Sequence, residues 1–323
     1  MKSLDFSRYA LCSCVAAAML AGCGGSQPSI GTPGAMPQSR ALATHVERGG
    51  SWMQPGAKTG DLLYVSSDAT DEVYVFSFPQ EELVGTLSGF EGPEGLCSDS
   101  HGDVFVTDVV AQDIVDFAHG GSSPMATLSD SGYEPISCSV DSVTGSLAVA
   151  NQRSSEGADG NIAIYVDAQG LPTFYSDPQM YGLSACGYDN NGNLFIDGYS
   201  GSSDFAVLPK GSGTFQSLSI SFRDPGSIQW DGQYVAVGGQ GQDNGAAIYR
   251  LSIDGSKVNV AGVVPLNHGE HHVSLRDFWA GSKKIVATFN SHIGTWRYPL
   301  GGSPTKLFAH YTGARGVTLS ALH

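Results

Sequence analysis

The chain has little charge, and least of the positive kind. Only 15% of its 323 residues are charged, with 16 Lys and Arg against 31 Asp and Glu, a net charge of -15. Nucleic-acid binding is therefore not expected, because a phosphate backbone calls for a basic footprint. No long stretch with helical spacing follows the first twenty residues, which excludes a helical or α/β plan. No Gly-x-Ser-x-Gly elbow, phosphate-cradling loop, Cys-x-x-Cys pair or His-Glu-x-x-His run occurs. The usual signatures of esterases, nucleotide binders, dithiol enzymes and zinc proteases are thus missing. Gly239-Gln240-Gly241 lies between two strand-like runs, not between a strand and a helix, so it is no dinucleotide loop. Cysteine is sparse too. Beyond residue 23 there are only Cys97, Cys138 and Cys186, an odd count that argues against a disulfide framework. Each falls where a small buried apolar residue is wanted, and the expectation is three buried thiols. A single disulfide would require two of their Cα atoms within about 7 Å.

Glycine, by contrast, is plentiful: 43 residues, roughly 13% against a usual ~7%. With 41% apolar residues the chain can build a large core. Much glycine, little charge and no helical period point to an all-β fold with many tight turns.

The N-terminus reads as a targeting segment. Lys2 and Arg8 make it basic, and residues 9–21 form an apolar run too short for an ordinary membrane span. Leu20-Ala21-Gly22-Cys23 then looks like a bacterial lipobox, in which Cys23 takes the lipid and becomes the first mature residue. Residues 1–22 are thus expected to be a signal peptide. Residues 23–60, rich in Gly, Pro, Ser and Ala, are expected to be a flexible tether with a reach of about 30 Å. Trp52 and Met53 are out of character there and could dock on the folded body. Without its leader the chain has 14 basic and 30 acidic residues, so about -16. The expectation is an exported monomer, lipid-anchored to the cell envelope and facing the periplasm or the cell surface.

From residue 61 a unit of four strands repeats. Its clearest copy is residues 93–117: Pro-Glu-Gly-Leu-Cys-Ser-Asp-Ser-His-Gly-Asp-Val-Phe-Val-Thr-Asp, a polar gap, then Ile-Val-Asp-Phe. First strands begin near Gly95, Pro135, Leu183, Ser227, Ser274 and Gly316, a spacing of roughly 40 to 48 residues, the period of a propeller blade. Most run into an Asp/Asn…Gly turn, as at Asp99 to Gly102, Asp141 to Gly145, Asp189 to Gly192 and Asp231-Gly232. Such turns need positive φ, which glycine supplies. Asp189-Asn190-Asn191-Gly192-Asn193 reads as one of them and lacks the acidic tail of an EF-hand. The second strands, such as Leu62-Leu63-Tyr64-Val65 and Val104-Phe105-Val106, are continuously apolar, so both faces of each sheet should be covered. The first unit lacks a first strand, and the last first strand, residues 316–322, has no successor. The two fragments complete one unit. The expected fold is a six-bladed β-propeller over residues 61–323, with blades of four antiparallel strands and a ring closed by the C-terminal strand.

The pattern Pro-x-Gly-Leu…Asp…Gly-x-Val-Phe-Val…Asp resembles NHL-repeat and gluconolactonase-like propellers, and more narrowly exported bacterial proteins of that type with no assigned activity. Gluconolactonase-like enzymes hold a divalent metal at one channel mouth, the first ligand being the Glu of a Glu-Gly-Pro motif. Glu91-Gly92-Pro93 is similar to it. The stretches that would carry the other ligands, Pro135-Ile136-Ser137, Leu183-Ser184-Ala185 and Pro225-Gly226-Ser227, lack the Asn and Asp that the resemblance implies. Virginiamycin-B-lyase-like propellers are a second analogy. Their repeats carry Trp-Phe-Thr-Glu where this chain has Val104-Phe105-Val106-Thr107-Asp108.

Two further groups are candidates. His268, Glu270, His271 and His272 carry the donor types of a metal site, but three ligands in one flexible loop seldom have the geometry without a partner from elsewhere, and a polar surface loop is the favoured reading. Asp68, Asp108, Asn151, Asp197, Gln240 and Asn290 each follow a second strand, so pseudo-symmetry puts them on one face. They are either pins for loop amides or a ring of acceptors at the channel mouth. No cofactor is expected, a divalent cation being the one candidate. The reading is a membrane-tethered, non-catalytic module for an unidentified protein or small polar ligand. The alternative is a metal-dependent hydrolase or lyase using the same mouth.

Overall fold

The computed structural model describes residues 50–199, 203–241, 245–267, 274–308 and 311–322. Cys23 and residues 1–49 lie outside them. Six antiparallel sheets follow one another along the chain, each in simple strand order. Their innermost strands meet in a circle, which makes a six-bladed propeller. From blade 2 to blade 6 these strands are Pro93–Ser98, Tyr133–Val140, Gly182–Tyr188, Ile228–Trp230 and Leu275–Ala280. Blade 1 takes its innermost strand, Ala314–Ser320, from the C-terminal end. It pairs with Leu62–Ser67 in the register Leu63↔Leu319 and Val65↔Val317. The ring therefore closes as the unpaired fragments required, and no blade keeps an open inner edge.

The second strands lie between the blade faces. Every residue of Leu62–Ser67 and of Val104–Asp108 is buried. Full burial of each such Val or Leu contributes roughly 1.5–3 kcal/mol, so the continuous apolar runs are the main cement between blades. Gly102, Gly145, Gly192 and Gly232 have φ of 86, 72, 81 and 93°, the left-handed turn positions that the Asp/Asn…Gly pattern called for. In each turn the leading aspartate accepts backbone amides further on: Asp99 from His101 and Asp103, Asp189 from Asn191 and Asn193.

Two expectations need correction. The flexible tether does not run to residue 60. Trp52–Met53 is a fifth strand of blade 1, paired with Leu83–Ser88, and Ala57–Thr59 forms a 3₁₀ turn. The outer edge of Leu83–Ser88 leaves backbone groups to be met; Trp52 and Met53 pair with Thr86 and Gly85 there, and the Met53 side chain packs on the blade core. Nor are all three cysteines thiols. Cys97 and Cys138 form a disulfide between the innermost strands of blades 2 and 3, with Cα atoms 5.7 Å apart. Cys186 is free and buried, and burial pushes its thiol up to about 12.

Candidate functional site at the channel mouth

The innermost strands converge most closely where they begin. A methyl on Gly95 would come within 2.6 Å of the Ser137 Cα, and one on Gly316 within 2.4 Å of the Glu94 carbonyl. Only glycine permits this approach. Around it a cavity of about 310 Å³ opens, lined by strand beginnings (Glu94, Ser184, Arg276, Asp277, Arg315) and by residues at or just past the ends of second strands (Val109, Gln152, Tyr199). First-strand starts and the loops after second strands thus share one face.

Its electrostatics come from two arginines. Arg315 donates from Nε to Asp68 at 2.8 Å, with a second bond from its terminal nitrogen, and lies 3.5 Å from Glu94. Arg276 donates from Nε to the Asn290 side-chain oxygen at 2.7 Å and has no carboxylate within ion-pair distance among the described residues. Burial raises the Glu94 carboxyl to about 6, although Arg315 beside it favours the charged form. Burial likewise raises Asp277 to about 7, against the hydrogen bonds of Ser227 and the Val317 and Phe278 amides. Its remaining exposure is to the channel. The Ser184 hydroxyl is buried and has no hydrogen-bond partner among the described residues.

The acceptor ring is not assembled as expected. None of Asp68, Asp108, Asn151, Asp197, Gln240 and Asn290 lines this mouth. Asp108 is turned into its own loop, where it accepts the amides of Glu91 (2.7 Å), Ala111 (3.1 Å) and Val110 (3.2 Å). Asn151 donates to Asn161 at 2.9 Å within blade 3. Asp197 is fully enclosed. Burial holds its carboxyl well above the usual range, with the Ala185 amide the one group favouring its charge. Gln240 borders a separate small pocket with Phe222 and Tyr249. Asp68 and Asn290 do serve the mouth, at one remove, by holding the arginines. The physical reason is the two-residue period of a strand: a residue beside a lining position points away from the channel.

Glu91, the residue similar to the gluconolactonase ligand, is exposed and does not line the mouth; Glu94 does. His268, Glu270, His271 and His272 lie outside the described residues. Among the described residues no three His, Cys, Asp or Glu side chains converge as a metal site would need. Arg276 and Arg315 were missed. The signal was present, since a basic residue inside a first strand is unusual in so acidic a chain.

Fold and mouth together define a six-bladed propeller with a polar, partly cationic channel mouth. No protein-family model matches the chain, and no curated protein matches it in sequence. Among solved structures it is similar to a chain of the "Crystal structure of Nidogen/Laminin Complex". The identity is 12% and the TM-score 0.63, over 81% of this chain and 98% of that one. At that identity the likeness is one of fold. As many as 1279 solved chains match, so the architecture by itself selects no activity.

Proposed function

We propose that the protein is an exported, lipid-anchored binding propeller whose channel mouth captures a small polar ligand bearing an anionic group. The observation that carries this is Arg276. It stands at the rim of a concave cavity, anchored by Asn290 and, among the described residues, without a carboxylate partner, beside Arg315 and a Ser184 hydroxyl that has no partner among them either. A guanidinium held by its Nε keeps its terminal N–H groups for a carboxylate or phosphate. The arginines favour an anion over the divalent cation that the sequence offered as a candidate. The similar propeller chain belongs to a complex of nidogen with laminin, and a binding role suits the same fold here. Anchoring through Cys23 and export of NHL-type chains agree with a disulfide, which an oxidising compartment preserves.

The test is calorimetric titration of the full chain in detergent with gluconate, glutamate and glucose 6-phosphate. One of them should bind saturably. Arg276→Gln should weaken it about ten- to a hundredfold, the worth of a hydrogen bond to a charged group, with the melting temperature unchanged. Equal binding by the variant would refute the reading. Cys23→Ser should move the protein from the membrane to the soluble fraction.

A further inference from the structure

A second cavity opens at the opposite end of the channel, where the innermost strands turn back into the second strands. At about 470 Å³ it is the larger of the two. Every residue lining it is described. Ser137, Ser227 and Asp277 border both cavities, so they form the waist between them.

The chemistry of this end is different. Trp230 and Trp279, near the ends of adjacent innermost strands, line the cavity together with Tyr188. Gln229 accepts the Ala280 amide through its side-chain oxygen at 2.7 Å, which ties the two tryptophan-bearing strands together. The Trp279 ring meets Phe78 edge-on at 5.4 Å, and a methyl at position 281 would come within 2.5 Å of the indole. Trp230 rests on the core of blades 4 and 5. Both rings are therefore held in place before anything binds. The indole N–H groups, the Tyr188 hydroxyl and the Gln229 amide nitrogen have no hydrogen-bond partner among the described residues.

Charge narrows the ligand. No Lys, Arg or His lines this cavity. Its acidic residues already have donors: Asp99 and Asp189 accept amides of their own turns, and Asp277 accepts those of Val317 and Phe278. A phosphate or carboxylate would find no counter-charge. A purely apolar molecule would strand the unpaired indole, amide and phenol donors of the wall. What remains is a flat, neutral, hydroxyl-rich ring.

We propose that this turn-end cavity binds a neutral carbohydrate of one or two pyranose units. The aromatic faces pack against the apolar C–H faces of the sugar ring, a contact that combines area burial with the ring quadrupole. The indole, amide and phenol donors meet its hydroxyl oxygens. The volume lies within the usual range for small-ligand pockets. The site is separate from the arginine mouth and does not depend on it.

The experiment uses the full chain in a detergent without a sugar headgroup. Glucose, N-acetylglucosamine, maltose and cellobiose are titrated by tryptophan fluorescence and saturation-transfer NMR. At least one should bind saturably. Trp279→Ala and Trp230→Ala should each weaken it by about tenfold or more, Trp279→Phe by less, and Arg276→Gln not at all. A measurement without substitutions guards against misfolded variants: the bound sugar should protect Trp230 and Trp279 of the wild-type chain from oxidative labelling, read by mass spectrometry, and leave Trp52 unprotected. Absence of binding by all four sugars at ~10 mM, an affinity below that of a built site, overturns the proposal. So does binding that leaves both tryptophans equally labelled.

Discussion

At the loop end of the channel the innermost strands begin with Glu94, Arg276, Asp277 and Arg315; at the turn end they finish with Tyr188, Trp230, Trp279 and a set of serines. The same strands build both. What separates the ends is the backbone that joins them to their neighbours. At the turn end, tight Asp…Gly turns use up their own carboxylates on local amides, so aspartates such as Asp99 and Asp189 add little free acceptor capacity. At the loop end, Asp68 pairs with Arg315 while the neutral Asn290 holds Arg276, so one guanidinium is left at the rim without a carboxylate among the described residues. The number of acidic residues near an opening is thus a poor guide to its charge; what decides is where their hydrogen bonds go.

The largest test of this comparison removes the feature that both ends share. Deleting residues 314–323 takes away the innermost strand of blade 1, with its ladder bonds at about 0.5–1.5 kcal/mol each and the burial of Val317. That is a large part of a typical 5–15 kcal/mol stability. Thermal melting should shift down by roughly 10 °C or more, or lose cooperativity, and both cavities should fail together. An unchanged melt would show that the strand is an ornament.

A smaller cut should separate the ends. The Cys97–Cys138 bridge borders only the turn-end cavity and joins residues 41 apart. Loop-closure entropy assigns such a bridge roughly 4 kcal/mol. Cys97→Ser with Cys138→Ser should lower the melting temperature by about 10 °C and weaken the sugar probes, while anion binding at the loop mouth persists. Equal loss at both ends would mean that the two cavities are one cooperative unit.

The smallest expected effect is one of pH. Glu94 lies only at the loop end, facing Arg315, Asp68 and Arg276, and is raised to about 6 chiefly by burial; Asp277 at the waist is raised to about 7. The folded chain therefore holds these protons more tightly than the unfolded one. Their contribution to stability is full below about pH 4 and is lost as the pH rises through 6 to 7. The same deprotonation places negative charge beside Arg276. Anion affinity should fall between pH 5 and 8, and Glu94→Gln should flatten that fall. A profile unaltered by Glu94→Gln would detach Glu94 from the site.

Much of the architecture was legible in the chain, because each blade is a local object. Apolar second strands, turn glycines and a period near 44 residues follow from short-range physics, and the two incomplete units at the ends demand each other. The fifth strand at Trp52–Met53 was harder to read, since two residues carry no periodicity and pair only because the edge of blade 1 is there. A disulfide was within reach, its pairing was not: Cys138 has Cys97 one unit before it and Cys186 one unit after it on neighbouring innermost strands, and only the tertiary structure selects Cys97.

The sequence by itself determined the blade, the number of blades and the way the ring closes, since these rest on continuously apolar second strands and turn chemistry within a few dozen residues. Only the tertiary structure decided which residues face the channel. A one-residue step along a strand turns a side chain from the lumen to the loop behind it. That step sent Asp108 and Asn151 into local hydrogen bonds, while Arg276 met Arg315 at one end of the channel and Trp279 met Trp230 at the other, each pair from two strands distant in sequence.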